Sequence, residues 1–507
     1  MGFTYLDLAI LVVYLVGISL FGIKIAGKQT STQDYFLGGR RMPWWAVSFA
    51  IVAAETSTLT FISIPGLAYL TNMNFLQVTF GYFLGRVIVA WILLPAYFRG
   101  ELGTAYTFLA NRFGTPMKNL ASGIFMLTRL AADGVRLYAT AIPLALILQK
   151  TFVAESLSET QFYIGSILII AAVSLSYTSI GGLRAVIWMD VVQLIIYLVG
   201  AVAAVLVVAS RLDGGLAAAI PVAAEAGKFQ VFDLAFAGSW SEFFSRKYSV
   251  VASILGGAFL SMASHGIDQL IIQRLLAAGS LRASRKALVT TGAIVVAQFA
   301  LFLFLGTMLF VFYRGAAMPS DKVFPRFIIE VMPTGLCGLI VAALLAAAIS
   351  TLSSSISSLA SVTMYDYVMP YVKRVHAGNE VVVSRVITLT WCLLLVGSAT
   401  VFMNSPEAVV ELALSIASFT YGGLLGTFFL GVLFKKPQLR HAIPAFLAGI
   451  GVMLYVILGT PIAWTWYTLI GASVTVLTGL VLTLVWPAEP APSVVEKEAR
   501  AYASADK

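Results

Sequence analysis

Ala53-Ala54-Glu55-Thr56-Ser57-Thr58-Leu59-Thr60 runs on through Phe61-Ile62-Ser63 to Ile64-Pro65-Gly66, a polar interruption in a stretch that is otherwise apolar from about residue 43 to 70. Five of its first eight residues carry a carboxylate or a hydroxyl. A helix written this way is predicted to break. At bilayer depth, hydroxyls, a Pro-Gly pair and a carboxylate are tolerated where unwound backbone lines a cavity, and the freed carbonyls and helix ends then face ions or polar solutes. The alternative is a Ser/Thr-rich packing seam with Glu55 protonated.

The rest of the chain supplies the bilayer. Of 507 residues 60% are hydrophobic and only 11% are Asp, Glu, Lys or Arg, against about 25% charged in soluble domains. Mean hydropathy is +0.93. That balance excludes soluble enzymes, secreted disulfide scaffolds and nucleic-acid binders, and the net charge of +9 reads as basic residues gathered in cytoplasmic loops. Cys337 and Cys392 lie in separate apolar runs and read as packing thiols. The first run, about 5 to 26, has no basic segment before it and no small-residue cleavage site after it, so it reads as a retained helix.

Thirteen apolar windows follow one another, near 5–26, 43–70, 74–98, 118–149, 160–181, 186–210, 248–271, 286–313, 333–370, 382–403, 407–434, 441–459 and 463–486. With the N-terminus outside, inner segments hold 21 Lys and Arg, outer segments 8, and spans 3. That excess predicts N-out, C-in. The expectation is therefore an all-α polytopic protein of the plasma (inner) membrane, one transmembrane domain over 1–486, with a disordered cytoplasmic tail over 487–507 and function as a monomer.

Other polar residues in the apolar windows are few. Ser350-Thr351-Leu352-Ser353-Ser354-Ser355-Ile356-Ser357-Ser358 holds seven hydroxyls in nine residues. Positions 350, 353, 354 and 357 share one helix face, which fits close helix packing or the oxygen ligands of a hard cation. Asp190, unpaired in its own apolar surroundings, needs a partner, either a monovalent cation held with the hydroxyl stripe or a structural hydrogen bond to another helix. Arg129, Asp133 and Arg136 also share a face, so one arginine pairs with Asp133 and the other is left for an anion such as a carboxylate, unless the pair is purely structural and the second arginine lies near an interface. Ser261, Ser264, His265, Asp268 and Gln269 form a second polar break, after Gly256-Gly257. It falls five windows after the first, the pattern of an inverted-repeat transporter with its site at the midplane.

Asp34-Tyr35-Phe36-Leu37-Gly38-Gly39-Arg40 resembles the sodium:solute symporter family, relatives of sodium/glucose, sodium/proline and sodium/sialic-acid cotransporters. So do Tyr177-Thr178-Ser179-Ile180-Gly181-Gly182-Leu183 leading to Trp188-Met189-Asp190, Gln269-Leu270-Ile271-Ile272-Gln273-Arg274, and Ala346-Ala347-Ala348-Ile349-Ser350-Thr351-Leu352-Ser353-Ser354. The four motifs occur in family order, and the resemblance covers about 5 to 434. It implies a LeuT-type 5+5 inverted repeat over about 43–434, behind one extra N-terminal helix and before two extra C-terminal ones. It also implies a main sodium site of carbonyls at Ala53, Thr56 and Ala347 with hydroxyls at Ser350 and Thr351. In some members a second site matches Asp190, Ser350, Ser353 and Ser354, so one or two sodium ions are expected.

The departures from the family are also informative. Glu55 resembles the carboxylate of the proline transporter, where sugar members are neutral. Ser264 stands where sugar members carry an aromatic gate, and Arg136 lies near the carboxylate-binding arginine of a sialic-acid relative. Expected solute contacts are Glu55, Ser57, Thr58, Thr60, Gln77, Tyr82, Arg136, Ser261, Ser264, His265, Gln298, Ser418 and Tyr421. The expected activity is sodium-coupled uptake of a small polar solute, a sugar or polyol, an organic acid or an amino acid, by alternating access. The rivals are a proton-coupled transporter of the same fold and a non-transporting solute sensor on the same scaffold. An ion channel lacks a pore-lining repeat here, and an intramembrane enzyme lacks a catalytic constellation.

Overall fold

The computed structural model describes residues 4–99, 102–151, 158–234, 238–376, 378–404 and 409–487. Among them the chain is helical throughout, without a strand. The principal helices are α1 (Tyr5–Ile25), α2 (Trp44–Glu55), α3 (Thr58–Leu70), α4 (Leu76–Ile92), α5 (Thr115–Thr151) and α6 (Glu159–Arg211). They continue as α7 (Val250–Gly266), α8 (Gln269–Ala277), α9 (Leu281–Phe312), α10 (Leu336–Val362), α11 (Glu380–Val401), α12 (Val409–Leu433), α13 (Leu439–Gly459) and α14 (Tyr467–Val485). The tail expected to be disordered lies almost entirely outside the described residues.

Among the described residues seven helices qualify as membrane spans by length and apolarity alone, and nine do if each of two bent pairs is one crossing. The bent pairs are α2 with α3, turned by 66°, and α7 with α8, turned by 62°. These are the two segments whose polar composition predicts a break. Helix α5 is long enough to cross and carries Arg129, Asp133 and Arg136 in its middle.

Helix α6 would be about 80 Å long if straight, far beyond a hydrocarbon core of about 30 Å. It turns at Gly182, where φ is 55° and ψ is −152°, a region essentially reserved for glycine. A Cβ there would also lie 2.2 Å from the Tyr35 carbonyl oxygen. The sequence windows 160–181 and 186–210 are the two arms of this bend. Helices α4 and α7 meet along a glycine seam, where a Cβ on Gly81 would lie 2.6 Å from Ile254 O and one on Gly85 2.3 Å from Ala258 O. Small residues let backbones approach this closely where lipid provides no hydrophobic drive between helices.

Helix α10 is buried along nearly all of its length and packs against α6. Its start is held by Asp7 of α1, which accepts the Gly335 and Gly338 N–H groups at 2.8 and 2.7 Å and so satisfies donors a helix start leaves open. Cys337 and Cys392 are buried free thiols.

Gly182→Ala is expected to cost on the order of 1–3 kcal/mol from backbone strain alone, read as a lowered melting temperature of the purified protein. Gly397→Ala, with open space around its Cβ position, should leave the melting temperature unchanged; equal behaviour of the two variants would contradict the role assigned to the bend.

Candidate functional site

The first break is built from a helix end and a helix start. Helix α2 closes with Thr56 N–H on the Val52 carbonyl at 2.9 Å, and Thr56 and Ser57 then run extended. The carbonyls that follow Val52 fall outside the helical ladder. Ser57 caps α3, its hydroxyl accepting the Thr60 N–H at 3.2 Å, and Thr58 donates to the Leu344 carbonyl of α10 at 3.0 Å. Thr56 accepts from the Gln298 side-chain amide of α9 at 3.0 Å.

Glu55, the last residue of α2, is ion-paired. Nη2 of Arg86 on α4, itself without solvent exposure, bonds both Glu55 oxygens at 2.6 Å. His265 Nε2 of α7 lies 3.4 Å from Glu55 Oε2, and the Ser264 hydroxyl meets His265 Nδ1 at 2.8 Å. Ser261 donates to the Tyr82 carbonyl at 3.0 Å. Five expected solute contacts, Glu55, Tyr82, Ser261, Ser264 and His265, therefore form one cluster around Arg86. Gln77 is elsewhere: its amide donates to the Asn74 and Tyr248 carbonyls and accepts the Asp233 N–H. These bonds tie a loop to the start of α4.

The second break has the same construction. Asp268 caps α8, with Oδ1 accepting the Leu270 N–H at 2.9 Å, while Oδ2 takes a short contact from Arg129 Nη2 and the Tyr421 hydroxyl at 2.7 Å. Arg129 also reaches Asp133 at 3.3 Å. Asp133 receives the Ser355 hydroxyl of α10 at 2.6 Å and one Arg136 nitrogen at 3.3 Å. Both arginines of α5 thus touch Asp133. They differ in exposure: the Arg129 side chain is 10% exposed and that of Arg136 is 26%.

Asp190 is not unpaired. Arg274 of α8, fully buried, reaches Asp190 Oδ2 at 2.9 Å, Ser350 donates to Oδ1 at 2.6 Å, and Arg274 makes a short contact with the Ser354 hydroxyl. The positive charge beside this carboxylate is a guanidinium belonging to the chain. Reading Arg274 as an inner-loop charge is corrected with it: α8 starts at the break, so residue 274 still lies inside the bundle.

Two small recesses flank these networks. One, with room for about a single water-sized occupant, is lined by Ala53, Thr56, Gln193, Leu194, Tyr197, Ala346, Ala347 and Ser350. The other, of similar size, is lined by Ser57, Asp133, Arg136, Leu137, Thr140, Ala348, Thr351 and Leu352. The buried Thr351 hydroxyl has no hydrogen-bond partner among the described residues.

A model of the sodium:solute symporter family matches residues 35–449. The chain belongs to the sodium:solute symporter family. A sodium/sialic acid symporter of Aliivibrio fischeri is 28% identical over 485 residues, covering 94% of this chain and 93% of its own. Sodium-coupled monocarboxylate transporter 2 of Bos taurus is 26% identical, covering 91% of this chain and 74% of its own. A solved structure of a substrate-bound, outward-open Na+-coupled sialic acid symporter matches with a TM-score of 0.84 at 25% identity, covering 96% of this chain and 99% of that one. This symporter is thus a multi-pass membrane protein that moves a small-molecule solute together with sodium; it is not an enzyme.

In this symporter four of the residues expected at the main sodium site, Ala53, Thr56, Ala347 and Ser350, share the first recess, while Thr351 lines the second with Ser57 and Arg136. Thr60 meets the Ser57 hydroxyl at 3.2 Å. Tyr421 is bound into the Arg129–Asp268 contact, and the side chain of Ser418 lies outside the described residues. Ser353 and Ser354 donate to the Ser350 carbonyl, and the Ser354 oxygen already accepts from Arg274. Sequence reasoning missed the pairing roles of Arg86 and Arg274. The clue to Arg274 was its place one and a half turns beyond Asp268, the residue that marks the second break.

Removing Arg86 leaves Glu55 charged and uncompensated, so Arg86→Gln is expected to destabilise by about 3–5 kcal/mol. Glu55→Gln/Arg86→Gln should recover a large part of that loss. A double variant no more stable than the single one, by thermal unfolding in detergent, would contradict the pairing.

Proposed function

We propose that this symporter imports a small carboxylate-bearing solute by sodium-driven alternating access. Arg136 carries the reading. Among Arg86, Arg129, Arg136 and Arg274 it combines a quarter-exposed side chain with a place on a recess, and a single 3.3 Å contact to Asp133 holds it. A planar guanidinium binds carboxylates in bidentate fashion, and Ser57 and the partnerless Thr351 hydroxyl share that recess. The two relatives named above are described as carrying sialic acid and monocarboxylates, both acids. Glu55, the carboxylate that would receive an amino acid's ammonium, is already committed to Arg86.

Sodium, in this reading, is held by the Ala53, Thr56 and Ala347 carbonyls and the Ser350 and Thr351 hydroxyls, an all-oxygen set suited to a hard cation. Its binding draws α2 and α10 together and completes the solute recess. A second sodium at Asp190, Ser350, Ser353 and Ser354 enters only when the Arg274 guanidinium withdraws, so we read the coupling as one sodium per cycle. The wider architecture belongs to the same proposal: thirteen crossings, with a 5+5 inverted repeat over about 43–434, N-terminus outside and tail inside, in the cell membrane and working as a monomer. The two breaks and the Lys/Arg asymmetry, which survives moving Arg274 into the interior, support it.

The solute is to be found by thermal shift against carboxylates, sugars and amino acids with and without sodium. Stabilisation by sugars alone would overturn the carboxylate reading. With the solute in hand, Arg136→Lys is expected to raise KM at least tenfold at unchanged sodium affinity, and uptake into proteoliposomes should require inward sodium. Equal uptake in choline buffer would exclude sodium coupling at this site.

Stoichiometry has an electrical signature. One sodium moving with one monocarboxylate carries no net charge, whereas a second sodium adds about 2.3 kcal/mol per 100 mV, about a fiftyfold gain in accumulation. Uptake is expected to be insensitive to an imposed membrane potential; a potential-driven current proportional to uptake would establish the second ion.

A further inference from the structure

Away from the transport site, three spans end around a pocket of about 560 Å3 lined by Lys28, Gln33, Asp34, Gly38, Gly39, Arg41, Met42, Pro43, Arg184 and Trp188. Helix α1 stops just before it at Ile25, α2 starts beside it at Trp44, and the α6 bend at Gly182 forms its third side. Its place at the ends of membrane helices puts it at the bilayer boundary. Its volume falls in the range of small-molecule sites.

The pocket is electropositive. Lys28, Arg41 and Arg184 line it from three separate segments, and none has an ion-pair or hydrogen-bond partner among the described residues. The acidic lining residue, Asp34, is engaged locally: the Thr30 hydroxyl and N–H donate to Oδ2 at 2.7 and 3.3 Å. The Thr30 hydroxyl in particular holds the Asp34 carboxyl below its usual range. Gly38 and Gly39, both at positive φ, let the backbone line the pocket without a Cβ. Trp188 completes the lining, edge-on at 5.4 Å to Trp45, which lies beside the pocket and is 41% exposed. Tryptophans of this kind sit at headgroup level in membranes.

We propose that this pocket binds the phosphate headgroup of one anionic phospholipid, with Lys28, Arg41 and Arg184 around the phosphate and the Trp45–Trp188 pair against the glycerol and upper acyl region. The lining carries three cations against the single carboxylate of Asp34, an excess that calls for an anion, and Trp188 at the bilayer boundary favours a lipid over a soluble one. Basic pockets between membrane helices on the cytoplasmic side take such headgroups, and this end of the bundle is the inner one in the proposed orientation. A lipid here would touch the chain on either side of the α2 start and at the α6 bend.

The test is native mass spectrometry of the full chain released from nanodiscs of mixed phosphatidylglycerol and phosphatidylcholine. The wild type is expected to keep one phosphatidylglycerol in preference to phosphatidylcholine. Each cation near an anionic surface strengthens binding about fivefold, so Lys28→Gln/Arg41→Gln/Arg184→Gln should weaken retention about a hundredfold, and Lys28→Arg/Arg41→Lys/Arg184→Lys should keep it. Should the triple Gln variant fail to fold, Arg184→Gln alone, at an exposed position, is expected to lose about fivefold at an unchanged melting temperature. No headgroup preference in the wild type, or equal retention by the Gln variants, would overturn the proposal. Displacement of the lipid by millimolar inorganic phosphate would make this a soluble-anion site and overturn the lipid assignment.

Discussion

Charge in the membrane interior has to be cancelled within the protein, and the packing of this symporter follows from how that is done. Around the two breaks Arg86, Arg129, Arg136 and Arg274 face Glu55, Asp133, Asp190 and Asp268, four of each sign. Most partners come from different helices. Arg86 joins α4 to α2, Arg129 joins α5 to the start of α8, and Arg274 joins α8 to α6 and α10. Removing one partner of such a pair strands a charge at several kcal/mol. The ion pairs therefore determine which helices are neighbours, while the glycine seams determine how closely they approach.

The breaks are stable because each freed helix end has an assigned partner. Ser57 and Asp268 cap the second half of each broken span, and Thr58 ties the first break to α10. The groups left open there include the carbonyl oxygens after Val52, the Thr351 hydroxyl and the free edge of Arg136. Oxygens without donors suit a cation, and a guanidinium with free N–H groups suits an anion. In the proposed reading, cation and anionic solute therefore sit side by side at the first break.

Both breaks were legible in the sequence because a carboxylate among hydroxyls cannot belong to a plain spanning helix, and Glu55 and Asp268 mark them. The hydroxyl face of α10 was legible from its spacing, and the shared face of Arg129, Asp133 and Arg136 from theirs. The Asp190 partner was hidden by linear bookkeeping: an arginine a few residues past an apolar window counts as a loop charge unless the break before it is allowed to shift the helix inward. Gln77 is a related case. A polar residue near a helix start reads as buried function until the loop that uses it, here at Tyr248 and Asp233, is folded back onto it. Only tertiary pairing distinguishes these cases, since in sequence all are isolated polar residues in apolar surroundings.

In the proposed reading, the same network links the solute to the second break. Asp133 is shared among Arg129, Arg136 and the Ser355 hydroxyl of α10. A carboxylate that takes Arg136 leaves Asp133 to Arg129 and Ser355 alone. Arg129 also holds Asp268, the cap of α8, and α8 carries Arg274, which grips Asp190 and touches Ser354 one turn from the proposed sodium oxygens. Solute, cap and cation site are therefore linked by contacts of known partners, each with an alternative partner within reach. A solute that engages Arg136 differently in the two end states shifts their balance through that chain by no more than the difference in its binding energy.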